Sequence, residues 1–169
     1  MQFKLPLTIL ASLALAQGFK VPADAQDGAY IVQTDESGQE TLVLVEAMKI
    51  GVTGRRAEAR AELKARDQNA CAARSLNHGD TDAAVSKLRG FCGGGQHYPA
   101  PKLFYKVGST VAYSCDYSGN QLCYSSEAEL AFQQITRACG LYASGWWLFG
   151  SNKNYGYDDV NAEFCGNLH

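Results

Sequence analysis

What the chain lacks narrows its class before any motif is read. Past the first sixteen residues there is no second long apolar run, and a helix needs roughly twenty apolar residues to span a bilayer. There is no basic stripe: 15 Lys and Arg stand against 17 Asp and Glu, a net charge of −2, and a slight acidic excess persists over residues 67–169. Nucleic acid and anionic membranes are therefore not expected partners. No two cysteines have the close C-x₂₋₄-C spacing of structural zinc ligands, so no metal and no cofactor is expected. Gly93-Gly94-Gly95 has no Gly-Lys-Ser/Thr after it and no strand ahead of it, which makes it a loop and not a phosphate cradle. The nucleophile-elbow pattern is absent as well.

Histidine is scarce, with only His78, His97 and His169. Together with Glu127, Glu129, Arg89 and Arg137 they supply the residue types of a ribonuclease-like acid–base site. Their spacing does not require one, and no catalytic residue is assigned. Asp158, Asp159, Asn161 and Glu163 offer clustered oxygens for calcium but not the Asp-x-Asp-x-Asp-Gly order of an EF-hand, so they read as a solvated acidic turn.

Cysteine is missing from the first seventy residues, and all six then fall at 71, 92, 115, 123, 139 and 165. That distribution divides the chain. Residues 1–16, with Lys4 ahead of the apolar stretch Leu5–Ala16 and small residues at Ala14 and Ala16, read as a secretory signal peptide. A second small-x-small site lies at Ala23-Asp24-Ala25. Residues 17–66 read as a propeptide. Its β-favouring runs at 30–32 and 41–46 flank the turn Asp35-Glu36-Ser37-Gly38, and Ala57–Arg66 alternates alanine with charge. Arg55-Arg56 is a dibasic pair, and it and Arg66 resemble the processing sites of secreted fungal precursors. Residues 67–169, about a hundred residues, suffice for one domain, and the expected product is a monomer released from the cell.

A domain of that size buries a modest fraction of its surface, and each crosslink adds about 2–4 kcal/mol by restricting the unfolded chain. The six cysteines therefore read as three bridges made in an oxidising compartment. Six cysteines allow 15 connectivities. The expected set is Cys115–Cys123 across a hairpin, Cys92–Cys139 between helix ends, and Cys71–Cys165 between the termini.

Helices and strands are written more legibly. Asp80 or Thr81 caps a first helix with the stripe Ala84, Val85, Leu88, Phe91 and Cys92, which stops at Gly93. A strand follows at 103–105. Thr110, Val111 and Tyr113 lead through Ser118-Gly119-Asn120 to an extended Leu122–Tyr124, read as a hairpin. Ser126 and Glu129 form a capping box for a second helix, with Ala128, Ala131, Phe132, Ile135, Ala138 and Cys139 on its apolar side and Gly140 after its end. Residues 145–149 have strand composition, so Trp146 and Trp147 should point to opposite faces. The fold class is α+β, a small disulfide-stabilised α/β sandwich of an antiparallel sheet and two helices. Trp146, Trp147, Tyr155 and Tyr157 are the candidate binding residues, an aromatic set suited to a partner protein or, as a carbohydrate-binding module, to a sugar.

Asn69-Ala-Cys71, the first helix, Gly108-Ser-Thr-Val-Ala-Tyr-Ser-Cys115, the helix ending in Cys139-Gly140, Tyr-Gly-Tyr-Asp-Asp-Val and a last Cys165 occur in that order. Across residues 69–166 this order resembles small secreted cysteine-rich fungal proteins and is similar to the killer-protein-4-type toxins. Those have an Asn-Cys start, a Gly-x-x-Val/Ile-Ala strand, a helix ending near Cys-Gly and an Asp-Val before the last strand. The resemblance implies an α/β sandwich and an effector or antimicrobial role outside the cell, acting by binding. This chain has fewer cysteines, an acidic balance and no lysine-bearing loop of the kind implicated in toxin action, so no functional residue carries over.

Overall fold

Strand β7, Thr110–Asp116, is buried at all seven positions, and the molecule is layered around it. The computed structural model describes residues 18–45, 67–119, 122–150 and 152–166. The signal segment 1–16, the processing residues Arg55, Arg56 and Arg66, Asn120 in the expected turn, and His169 lie outside the described residues.

In chain order the strands are β1 Phe19–Lys20, β2 Gly28–Thr34, β3 Glu40–Leu44, β4 Gln68–Ser75, β5 Gln96–His97, β6 Lys102–Val107, β7, β8 Leu122–Cys123, β9 Ala143–Phe149, β10 Lys153–Asp159 and β11 Glu163–Phe164. Helix α1, His78–Cys92, precedes β5, and α2, Ser125–Cys139, follows β8. Seven strands form one sheet in the order β3-β2-β6-β7-β10-β9-β4, with every neighbour antiparallel. Two-stranded pairings β1–β11 and β5–β8 complete the fold. It is a small disulfide-stabilised α+β sandwich.

Period-two alternation explains why both faces of the sheet are covered. On one face Ala29, Ile31, Leu103, Ala112, Tyr155 and Tyr157 meet Ala84, Leu88, Ala131 and Ile135 of the helices. On the other, Tyr30, Val32, Phe104, Val111 and Tyr113 pack with Phe19, Val21 and Phe164. A strand buried on both sides needs apolar residues at consecutive positions, and Ile31-Val32 and Leu103-Phe104 supply them.

The helix stripes emerge as read, apart from Ala138, which is exposed, while the starts move. Helix α1 begins earlier than expected, because Asn77 is its N-cap and accepts the Asp80 amide. Helix α2 begins at Ser125 with Tyr124 as N-cap and no side-chain cap bond, so Ser126 lies inside the first turn and the expected capping box does not start it.

The hairpin expected from 110 to 124 is corrected. Both sides of β7 are occupied, by β6 and β10, so β8 is left to pair with β5. The pairings expected for the cysteines are corrected with it. The bridges are Cys71–Cys139, Cys92–Cys123 and Cys115–Cys165, with Cα separations of 5.4, 5.1 and 5.5 Å. Layering decides each one. Cys115 faces the side of the sheet that holds Cys165, while Cys123 lies with Cys92 among the helix-side residues. Cys71 stands opposite Gly145, and a Cβ at Gly145 would lie 3.0 Å from Cys139 Sγ, so the missing side chain makes room for that bridge.

Residues 18–45 do not form a body apart. The expected turn at 35–38 joins β2 and β3, but β2 continues the main sheet by pairing with β6.

Candidate functional site

Helices α1 and α2 lie side by side on one face of the sheet, and both end in bridged cysteines. Between them an open cleft of about 380 Å³ is lined by Val85, Arg89, Glu129, Phe132, Gln133, Thr136 and Arg137. Helical spacing creates it. Residues 129, 133 and 137 recur every four positions along one edge of α2, beside the buried stripe of Ala128, Ala131, Phe132 and Ile135.

The polar groups of the cleft divide into spoken-for and free. Arg89 Nη2 donates to Glu129 Oε2 at 2.7 Å, and Gln133 Nε2 donates to Glu129 Oε1 at 3.5 Å. Arg89 Nε is buried without an acceptor among the described residues. Thr136 Oγ1 lies 3.4 Å from the Tyr157 hydroxyl. Arg137, in the last turn of α2 and exposed, forms no ion pair among the described residues. Two guanidinium groups against one carboxylate leave the cleft net positive, above an apolar floor of Val85 and Phe132. Such a set can receive a carboxylate, sulfate or phosphate attached to a less polar body.

A second concavity, about 590 Å³, is lined by Gln33, Thr34, Asp35, Thr41, Pro99, Ala100 and Pro101. Its one charged side chain is already committed. Asp35 accepts from the amides of Ser37 and Gln39, and these hydrogen bonds, with that from the Ser37 hydroxyl first, hold its carboxyl below the usual range.

The expected aromatic platform is not assembled. Tyr155 and Tyr157 are buried against Phe132 under the helices, which corrects their assignment as binding residues. Trp146 and Trp147 take opposite faces as expected, one packed with each core, and the Trp147 indole N–H finds no acceptor among the described residues. No row of coplanar exposed rings results, so these aromatics do not make a sugar platform. Tyr155 instead donates to Glu127 Oε2 at 2.8 Å, beside Lys153 Nζ at 2.9 Å from the same oxygen. Burial, and then the neighbouring carboxylate, pushes the Tyr155 phenol well above its ordinary value, keeping it a donor. This cluster fastens the first turn of α2 to β10.

His78 and His97 are kept apart by α1. One opens the helix, and the other sits in β5, whose Gln96 pairs with Cys123 and so lies near the bridged end of α1. At 1.5 Å per residue the helix separates them by roughly 20 Å. His78 is exposed and stacks on Tyr142 at 3.9 Å, and Tyr142 donates to Asp82 at 3.1 Å.

The acidic turn also divides. Asp158 faces the sheet side opposite the helices, where Arg74 Nη1 contacts both its oxygens at 3.1 and 3.2 Å. Asp159 accepts from the backbone and side chain of Asn161. Among the described residues no three His, Cys, Asp or Glu side chains are placed to hold a metal ion, and no helix is long and apolar enough to cross a membrane.

Of the cleft residues, Arg89, Glu129 and Arg137 were already singled out in sequence as charged groups, but for acid–base work. Gln133 and Thr136 were missed. The four-residue repeat 129, 133, 137 was the signal available for the first of them. No protein-family model, curated protein or solved structure matches the chain.

Proposed function

We propose that the protein is an exported effector or killer-toxin-like antimicrobial that works by binding a target outside its cell, with the interhelical cleft taking an anionic group of that target. One observation carries the reading. Arg137 has no ionic partner among the described residues and stands with Gln133 and Thr136 over an apolar floor. Both helices beside it end in disulfides, so the donors are held on a rigid frame and little ordering entropy is lost on binding. Three crosslinks in a chain this short also suit an oxidising, extracellular setting.

The test applies the refolded chain from residue 17 onward to susceptible fungal and plant cells, beside a reduced and alkylated control and the Arg137→Glu variant. Growth arrest or necrosis with the oxidised protein alone, weakened in Arg137→Glu, is the expected result. Inactivity on every cell type overturns the antimicrobial and effector reading, and full activity of Arg137→Glu removes the cleft from it.

A further inference from the structure

We infer that residues 18–45, which carry β1, β2 and β3, are a non-covalently held part of the working protein, a partner segment for residues 67–166 that stays bound when the connection between them is cut. The dibasic pair Arg55-Arg56 falls within that connection, and the removal of everything before it is the simplest expectation from sequence. The sheet argues otherwise.

Strand β2 is an interior strand. It pairs with β3 on one side and, through Gly28–Val32, with Lys106–Lys102 of β6 on the other. Ile31 and Val32 are fully buried, one in each core. Tyr30 stacks on Phe104 at 5.3 Å, and Phe19 packs against Phe104 and Phe164 at 5.7 Å each. Strand β1 pairs with β11.

Polar contacts close the same seam. Asp27 accepts from Lys106 Nζ at 2.7 Å and from the Gly108 amide at 3.0 Å, and Lys102 pairs with Glu40. Gly108 carries φ 51° in the β6–β7 turn, and a Cβ there would overlap the Asp80 carboxylate, so the turn is held between Asp27 and Asp80.

Loss of residues 18–45 would turn β6 into an edge with unpaired amides and carbonyls and uncover Phe104, the kind of edge that pairs with foreign strands and aggregates. No cysteine lies in residues 18–45, and all three bridges join positions from 71 to 165. Backbone pairing, apolar burial and these ion pairs therefore hold the segment without a covalent crosslink. This inference does not depend on what the interhelical cleft binds.

The experiment is to express the chain from residue 17 with its disulfides formed, cut it with a dibasic-specific protease, and compare native gel filtration with non-reducing denaturing electrophoresis. Two fragments on the denaturing gel and one native peak at the position of the uncut protein are expected. Tyr30→Ala, treated alike, should weaken retention of the small fragment at least tenfold by dilution. Separate native peaks, aggregation of the large fragment on cutting, or resistance to cutting between residues 45 and 67 would each overturn the inference.

Discussion

The Tyr113 ring occupies the space that a side chain at position 156 would need: a Cβ on Gly156 would stand 2.3 Å from Tyr113 Cζ and from its hydroxyl oxygen. Tyr113 is itself stacked on Phe164 at 4.7 Å in a fully covered layer and has nowhere to retreat. Gly156→Ala should therefore destabilise the fold by about 1–3 kcal/mol, the usual range for overpacking. Gly90, on α1 with nothing within 4 Å of an added Cβ, is the control. Gly90→Ala should be stabilising by about 0.4–1 kcal/mol in thermal or urea denaturation.

Non-reducing digestion and mass spectrometry should recover the linked peptides 71/139, 92/123 and 115/165. The loops they close have sequence separations of 68, 31 and 50. Loop-closure entropy then predicts a loss of about 4 kcal/mol for each bridge removed, for example in Cys92→Ala/Cys123→Ala. Recovery of a 115/123 peptide would contradict the layered arrangement.

Asp158 and Asp27 should give the stability curve opposite slopes. Burial pushes the Asp158 carboxyl above the ordinary carboxylate value, against the pull of the Asp159 amide and Arg74. Its contribution is present in full below the unfolded pKa and is lost as pH rises through the raised folded one. Asp27 is held below the ordinary value, first by Lys106 and then by the Gly108 amide, so its contribution is present above the unfolded pKa and lost as pH falls through the lowered one. Urea denaturation from about pH 3 to 6 should show wild type losing ground to Asp158→Asn as pH rises and gaining on Asp27→Asn.

Glu129→Gln should separate stability from binding. The Arg89–Glu129 pair is partly exposed, 38% and 48% for the two side chains, and such pairs are worth about 0–1 kcal/mol, so thermal stability should hardly change. Removing the carboxylate leaves Arg89 and Arg137 both available, and titration with a sulfated oligosaccharide should show tighter binding than wild type. Unchanged or weaker binding would mean that the cleft does not recognise anions.

Much of this fold was readable from local signals because the determinants lie within a few residues of one another. Ala84, Leu88, Ala131 and Ile135 mark helix faces by spacing alone, and Asp35–Gly38 marks a turn by its own hydrogen bonds. Disulfide pairing has no such local determinant. Cys115 and Cys123 are near in sequence, yet they end in different layers because β6 and β10 take both sides of β7. For the same reason the aromatics at 155 and 157 could not be assigned to surface or core from composition. An aromatic strand position reads alike whether helices cover that face or not.

The amino-acid sequence by itself determined the two helix faces, the strands β2, β3, β6, β7 and β9, and that the cysteines serve as crosslinks, since hydrophobic period, turn residues and cysteine spacing act over short stretches; β4 and β10 carried no such local signal. Tertiary structure alone decided which cysteines meet, that residues 18–45 complete the sheet, and that Arg137, without an ion pair among the described residues, stands beside Gln133 and Thr136 while Tyr155 and Tyr157 are enclosed. Those outcomes depend on which strand edges pair and which faces the helices cover, and both are settled by contacts between residues distant along the chain.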